Sequence, residues 1–295
     1  MNVLLLYNPR AGSGNFNGYL DDIIRVFQEK KQYIIPYRLQ DLSALEDFMK
    51  ALEPSTIDKV IIAGGDGTIH QVVNLMIRLG IDLPVAIFPL GTANDFAQYF
   101  HIPREIDGMI QVATGDKTLA CDIGKANDRY FINVASFGNL VDISQRVNEQ
   151  AKNILGVLAY YMKGIEEIPK LKPFRARIVT DDAEVETDIL FTLVMNGRSA
   201  GGFKKLAPYA EISDGLFDVL IFKKCPVLEI MPLLVKVWNG EHPKSDYIRY
   251  LKTSKLEVTC RENIVSDLDG ETGPALPLKM ELLNKRLRVV VPQDY

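Results

Sequence analysis

Cysteine and histidine are scarce in this chain of 295 residues, which contains three of each. Cys121, Cys225 and Cys260 are isolated from one another and odd in number, so they form neither a disulfide framework nor a clustered zinc site. The histidines are also scattered, without the spacing that metal ligands show. These absences exclude disulfide-rich scaffolds and zinc enzymes.

Strong charge and long apolar runs are missing as well. The net charge of −4 lacks the basic footprint of a general nucleic-acid-binding protein. No apolar run approaches the length that crosses a bilayer, and the N-terminal residues lack the charged region of a secretion signal. We therefore expect a cytoplasmic protein that binds no nucleic acid and makes at most peripheral contact with the inner membrane surface.

The two common phosphate-binding motifs are absent, yet residues 59–71, K-V-I-I-A-G-G-D-G-T-I-H-Q, have the features of a phosphate site. Residues 60–63 predict a buried strand, and the apolar spacing after Thr68 predicts a helix. Glycines between the two let a ligand approach the main chain, and a helix start offers unpaired N–H groups to a phosphate. Asp66 would repel a phosphate unless a divalent cation or a sugar hydroxyl lay between them. The alternative is an ordinary turn in which Asp66 caps the helix.

Two more glycine-bearing turns follow predicted strands, at residues 8–14 and 90–96. Strands that alternate with helices predict an α/β domain with a mostly parallel sheet, and the three turns would then collect at one edge of it. Later in the chain, alternating patterns predict a β-rich, sandwich-like second domain; they cover residues 174–180, 184–196, 216–222, 255–261, 277–283 and 286–291, with one helix at 151–168. We place the domains at residues 1–119 and 120–295.

Five short motifs in this order resemble the diacylglycerol kinase catalytic-domain family, and in particular its bacterial soluble lipid kinases. They are Asn8-Pro9-x-x-Gly12, Gly64-Gly65-Asp66-Gly67-Thr68, Gly91-Thr92-Ala93-Asn94-Asp95-Phe96, Asp214-Gly215-Leu216 and Asp269-Gly270-Glu271. The resemblance covers essentially the whole chain. It implies an NAD-kinase-like α/β domain that binds ATP with Mg²⁺, and a β-rich domain that carries a metal site, the catalytic base and the lipid-acceptor surface.

The resemblance also implies roles for individual residues. Glu271 matches the catalytic base, and Asp66 would support the magnesium ion or order the attacking group. The candidate nucleotide-binding residues are Asn8, Gly64, Gly65, Asp66, Gly67, Thr68, Gln71, Gly91, Thr92, Asn94 and Asp95. Glu211, Asp214 and Leu216 match a structural Mg²⁺ site formed by one carboxylate and backbone carbonyls. One departure stands out, because the family usually has Asn and Glu where this chain has His70 and Gln71.

The sequence thus predicts an ATP-dependent lipid kinase that acts on a membrane lipid, first of all on diacylglycerol to give phosphatidic acid. It also allows for transient contact with a membrane and for a homodimer. Two alternatives stay open at this stage. One is a kinase of a soluble acceptor such as NAD, which shares the Gly-Gly-Asp-Gly motif. The other is a nucleotide-binding regulatory module without catalysis.

Overall fold

A computed structural model describes residues 1–12, 14–138 and 172–295, so the helix predicted over 151–168 lies outside the described residues. The chain divides into two compact units: an N-terminal unit of Met1–Asp122 with Lys285–Tyr295, and a C-terminal unit of Ile123–Asn284. The last segment joins the N-terminal unit because Val289 pairs in parallel with Val85. A single division at residue 119 does not capture this return of the chain.

The N-terminal unit alternates strands and helices. They are β1 (Asn2–Tyr7), α1 (Leu20–Glu29), β2 (Tyr33–Arg38), α2 (Leu42–Ala51), β3 (Lys59–Gly64), α3 (Asp66–Arg78), β4 (Val85–Pro89), α4 (Asp95–Tyr99) and α5 (Ile106–Ala113). The strands lie in the order β2–β1–β3–β4, and all of these pairs are parallel. Every residue of β3 and β4 is buried, as expected for strands covered on both faces. The predicted mostly parallel sheet is confirmed.

Most of the remaining strands belong to the C-terminal unit. They are β5 (Thr118–Ala126), β6 (Arg129–Phe131), β7 (Val134–Gly138), β8 (Phe174–Thr180), β9 (Glu184–Met195), β10 (Phe217–Lys223), β11 (Ile248–Thr253), β12 (Lys255–Cys260), β13 (Val265–Leu268), β14 (Glu271–Ala275) and β15 (Leu278–Val290). Antiparallel pairing links β11–β10–β9–β8–β12, and β9 also pairs with β7 in the series β9–β7–β13–β14. The β-rich second domain is therefore confirmed, although β15 is one strand where the patterns predicted two.

One helix of this unit was missed by the sequence reasoning. Helix α6 (Val227–Asn239) contains Pro232 and carries apolar residues on its exposed side as well as on its buried side, so they do not form the single apolar stripe that is typical of a surface helix. Ile230 and Val237 are its buried residues, whereas Leu228 is 90% exposed. Within the parts of the chain that the structure describes, no helix has both the length and the apolar character needed to cross a membrane.

Candidate active site

Three turns lie side by side at the carboxyl ends of β1, β3 and β4. The N–H of Asn8 donates to the carbonyl of Ala63 (2.9 Å), and the N–H of Leu90 donates to the carbonyl of Gly64 (2.9 Å). The parallel register thus continues one residue beyond each strand before the chain turns away. The three turns share one sheet edge, where open α/β sheets bind ligands.

Glycine is required where two of these turns meet. A Cβ at Gly91 would lie 2.7 Å from the Cα of Gly65, and a Cβ at Gly65 would lie 3.2 Å from the Cα of Gly91. A Cβ at Gly64 would lie 2.5 Å from the Cβ of Thr68. Gly67, in contrast, faces open space. The motif therefore contains glycines that allow close packing and one that leaves the helix start uncovered.

Asn94 shapes the third turn from inside. It is buried and adopts a left-handed conformation (φ 53°), which asparagine tolerates better than most residues. Its Oδ1 accepts from the N–H of Gly91 (2.8 Å), and its Nδ2 donates to the carbonyls of Gly91 (2.6 Å) and Pro89 (3.3 Å). Asn94 therefore holds the turn in shape, and its side chain is committed to the protein.

Asn8 connects the first turn to helix α3. Its Nδ2 donates to Oγ1 of Thr68 (3.1 Å), and its Oδ1 accepts from the N–H of Arg10 (2.9 Å). Two further predicted nucleotide-binding residues are exposed. Thr92 lies in the third of the three turns, and Gln71 lies near the start of helix α3. The structure thus brings the first, second and third turns together and leaves these two side chains at the surface.

Helix α3 begins without a side-chain cap. Gly65 is its N-cap residue, and Asp66 is the first helical residue, so Asp66 does not act as the cap that the alternative interpretation required. Oδ1 of Asp66 instead accepts from the N–H of Phe96 at the start of α4 (3.3 Å). The first N–H groups of α3 have no side-chain cap and are suited to bind an anion.

Two carboxylates approach each other at this helix start. Burial, followed by the negative charge of Asp95, raises the pKa of Asp66, although backbone N–H groups partly oppose the shift. A cation near both groups would relieve this repulsion. Across residues 1–12, 14–138 and 172–295, no group of three or more His, Cys, Asp or Glu side chains could hold a metal ion. A Mg²⁺ ion beside Asp66 and Asp95 would therefore have to take most of its ligands from water and nucleotide phosphates.

A cavity of about 380 Å³ opens beside the turns within the N-terminal unit. Gly12, Leu90 and Asn94 line one part of it, and Tyr19 and Arg104 line another. Neither Tyr19 nor Arg104 belongs to a sequence motif, so neither was predicted as a site residue. The cavity combines an aromatic ring, a cation and the turn backbone.

In the C-terminal unit, Glu271 follows a two-residue hairpin turn. Asp269 (φ 53°) and Gly270 (φ 94°) both have positive φ, which is the conformation that an Asp-Gly pair adopts in a tight hairpin. The turn joins β13 to β14, and Leu268 pairs with Glu271 directly beside it. Glu271 is half-buried at the first position of β14.

Asp269 anchors this hairpin through three backbone donors. Its Oδ2 accepts from the N–H of Ile132 (2.7 Å), and its Oδ1 accepts from those of Asn133 (2.9 Å) and Val134 (2.8 Å). Nearby Asp267 accepts from the N–H of Gly270 (2.8 Å). The carboxylates of Asp267 and Asp269 thus both accept hydrogen bonds from backbone N–H groups. The Asp-Gly pair was the signal that could have revealed this role.

Comparisons with known proteins give the family. Residues 2–126 match the model of the diacylglycerol kinase catalytic domain, and residues 133–291 match that of the YegS C-terminal NAD kinase beta sandwich-like domain. A diacylglycerol kinase of Bacillus subtilis is 34% identical over 291 residues, which cover 98% of this chain and 96% of that protein. The chain belongs to the diacylglycerol kinase catalytic-domain family. It is a lipid kinase, and no finding supports the two alternative functions.

Other members of the family agree in sequence and in fold. A diacylglycerol kinase of Staphylococcus epidermidis is 33% identical and covers 98% of this chain and 92% of its own length. The crystal structure of a diacylglycerol kinase from Bacillus anthracis superposes with a TM-score of 0.81 at 25% identity, and covers 99% of this chain and 98% of that one. The NAD-kinase-like α/β domain and the β-rich domain predicted from the sequence are both confirmed.

At the structural Mg²⁺ site that the family resemblance implies, a lysine occupies the carboxylate in this protein. Oδ1 of Asp214 accepts from the N–H of Leu216 (3.0 Å), and its Oδ2 pairs with the ammonium of Lys252 (2.9 Å). The same ammonium lies 3.6 Å from Oδ2 of Asp218. As placed, these residues do not fit a divalent ion, because the ion would have to displace an ammonium group that already balances the carboxylate. Metal binding at Glu211, Asp214 and Leu216 stays a prediction.

Proposed function

We propose that this protein transfers the γ-phosphoryl group of ATP to the free hydroxyl of diacylglycerol and releases phosphatidic acid and ADP. The acceptor is the one named for the relatives in Bacillus and Staphylococcus. The observation that carries the proposal is the meeting of three turns around an uncapped helix start, with Asp66 and Asp95 beside it. Such a site suits a chain of phosphates accompanied by a divalent cation.

In the proposed reaction, the N–H groups of Gly67 and Thr68 orient the phosphates, and Gly65 and Gly91 let them approach the backbone. Mg²⁺ bound with ATP would supply positive charge near the transferred group. The lipid hydroxyl oxygen forms a bond to the γ-phosphorus while the bond to the β,γ-bridging oxygen breaks. Glu271 accepts the hydroxyl proton as a general base. Asn8, Gly64 and Asn94 act by holding the turns, and Thr92 and Gln71 contact the nucleotide from the surface.

The substrate also sets where the enzyme works. Diacylglycerol resides in membranes, so we propose a cytoplasmic enzyme that binds transiently to the inner membrane surface. A homodimer is compatible with this proposal and is not required by it.

The proposal is tested by separating nucleotide binding from phosphoryl transfer. Glu271→Gln should bind Mg-ATP as tightly as the wild type by calorimetry and lose transfer by about 10²–10⁴-fold, the range of general-base catalysis. The substitution keeps the size and shape of the side chain and removes its ability to take up a proton. Glu262→Gln, an exposed residue nine positions earlier, is the matched control and should retain full transfer. Full activity of Glu271→Gln would remove Glu271 from the mechanism.

A further inference from the structure

Helix α6 presents an apolar face to solvent. Leu228, Met231, Val235 and Trp238 are 90%, 55%, 57% and 68% exposed. Their spacing of three, four and three residues places them on one face at 3.6 residues per turn. The buried Ile230 lies on the opposite side of the helix. The exposed apolar face therefore lies on the side of the helix that does not pack against the core.

Lysines lie at both ends of this helix. Lys224 precedes the helix and Lys236 lies on it, and both are exposed. Beyond its end, the exposed Lys204 and Lys205 lie in a loop that packs against the helix terminus, since a Cβ at Gly240 would lie 3.1 Å from the Cβ of Lys205.

The same loop places a second aromatic ring beside the helix. The ring of Phe203 meets that of Trp238 edge to face, with 6.3 Å between centroids. The exposed acidic residues nearby are fewer, Glu229 and Glu241.

We propose that helix α6 is the surface by which this protein docks on a bilayer that contains anionic lipids, with the face formed by Leu228, Met231, Val235 and Trp238 lying in the headgroup region. The inference rests on the proposed function, since an enzyme acting on diacylglycerol must reach a membrane. Apolar and aromatic residues flanked by lysines are the composition of helices that lie in a membrane interface. At 13 residues, or about 20 Å, the helix is too short to span a bilayer.

Charge argues against a second copy of the chain as the occupant of this face. The four side chains expose on the order of 500 Å² of apolar surface, the size of the largest such patch on a typical monomer. Across a symmetric contact the lysines near the face would repel one another, whereas an anionic bilayer attracts them all.

The test is sedimentation of the full chain with vesicles of phosphatidylcholine containing about one-third phosphatidylglycerol. The double variant Leu228→Glu/Val235→Glu should lower the partition coefficient at least tenfold, because two charges would enter the apolar interface. Lys204→Gln/Lys205→Gln should weaken binding about tenfold on anionic vesicles and leave binding to pure phosphatidylcholine unchanged. The control is Leu42→Glu, which places one such charge on an exposed leucine of the N-terminal unit.

Each outcome decides the inference. Vesicle binding that the Leu228→Glu/Val235→Glu variant retains, or a wild type that does not bind vesicles, would overturn it. So would a dimer in light scattering that this variant dissociates, because the face would then bind a second copy. Activity on a short-chain diacylglycerol dispersed in water separates the two proposals, since the double variant should keep that activity and lose only turnover on vesicles. A wild type inactive on every lipid would refute the proposed function, while vesicle binding would still decide the role of α6.

Discussion

Asp269 offers the sharpest test of how the fold positions Glu271. Asp269→Ala removes the acceptor for three backbone N–H groups, at 2.7, 2.9 and 2.8 Å. Hydrogen bonds to a charged group contribute about 1.5 kcal/mol or more, and water can replace part of this at a half-buried site, so we expect a loss of about 3 kcal/mol. Alanine also tolerates the left-handed conformation of residue 269 poorly. The loss should lower the melting temperature by roughly 6–10 °C.

The assay combines thermal unfolding with phosphoryl transfer. Asp269→Asn should cause a smaller loss of about 1–2 kcal/mol, since an amide oxygen keeps part of the hydrogen bonding and asparagine tolerates the turn. Asp128→Ala, an exposed aspartate in the same unit, should change stability by less than about 0.5 kcal/mol. Transfer by Asp269→Ala should fall at least tenfold while Mg-ATP affinity stays constant. An unchanged melting temperature would refute the anchoring role.

Three further predictions concern the two units. Asp66→Asn should abolish transfer yet stabilise the protein by about 1 kcal/mol at neutral pH, because the ionised carboxylate is buried beside a like charge. The pKa of Asp66 is raised in the folded protein, so the wild-type carboxylate takes up a proton there before it does so in the unfolded chain. The stability advantage of Asp66→Asn should therefore shrink as the pH falls through the folded pKa toward the ordinary value of 3.8. Gly91→Ala should lower stability by about 2 kcal/mol, because its Cβ would lie 2.7 Å from the neighbouring turn, whereas Gly67→Ala should have little effect on stability because its Cβ meets open space. MgCl₂ should raise the melting temperature of Lys252→Met, because the carboxylate of Asp214 is then free to bind Mg²⁺. This increase should vanish in the double variant Lys252→Met/Asp214→Asn. An equal increase in the wild type that also depends on Asp214 would show that the ammonium of Lys252 does not exclude the ion.

Local patterns predicted much of the N-terminal unit. The apolar run before Gly64 and the helical spacing after Thr68 are properties of adjacent residues, and both elements form where expected. The convergence of the three turns followed from a general property of parallel sheets. The Asp-Gly-Glu motif likewise placed Glu271 beside a turn.

Other features depend on contacts that are distant along the chain. Asp269 accepts hydrogen bonds from residues that lie 135 to 137 positions earlier in the sequence, and no local pattern could predict these contacts. Lys252 meets Asp214 across 38 residues because β10 and β11 pair, so the motif at Asp214 gave no sign of the lysine. Helix α6 escaped detection for the same property that makes it a candidate docking surface, namely apolar residues on its exposed side.

The most direct test of the proposed activity offers two acceptors to the enzyme at once. Mg-ATP labelled in the γ-phosphate is incubated with diacylglycerol in mixed micelles and with NAD in solution, and the labelled products are separated. We predict label in phosphatidic acid, none in NAD, and none in either acceptor with Glu271→Gln. Label in NAD, or no transfer by a wild-type protein that still binds ATP, would contradict the account.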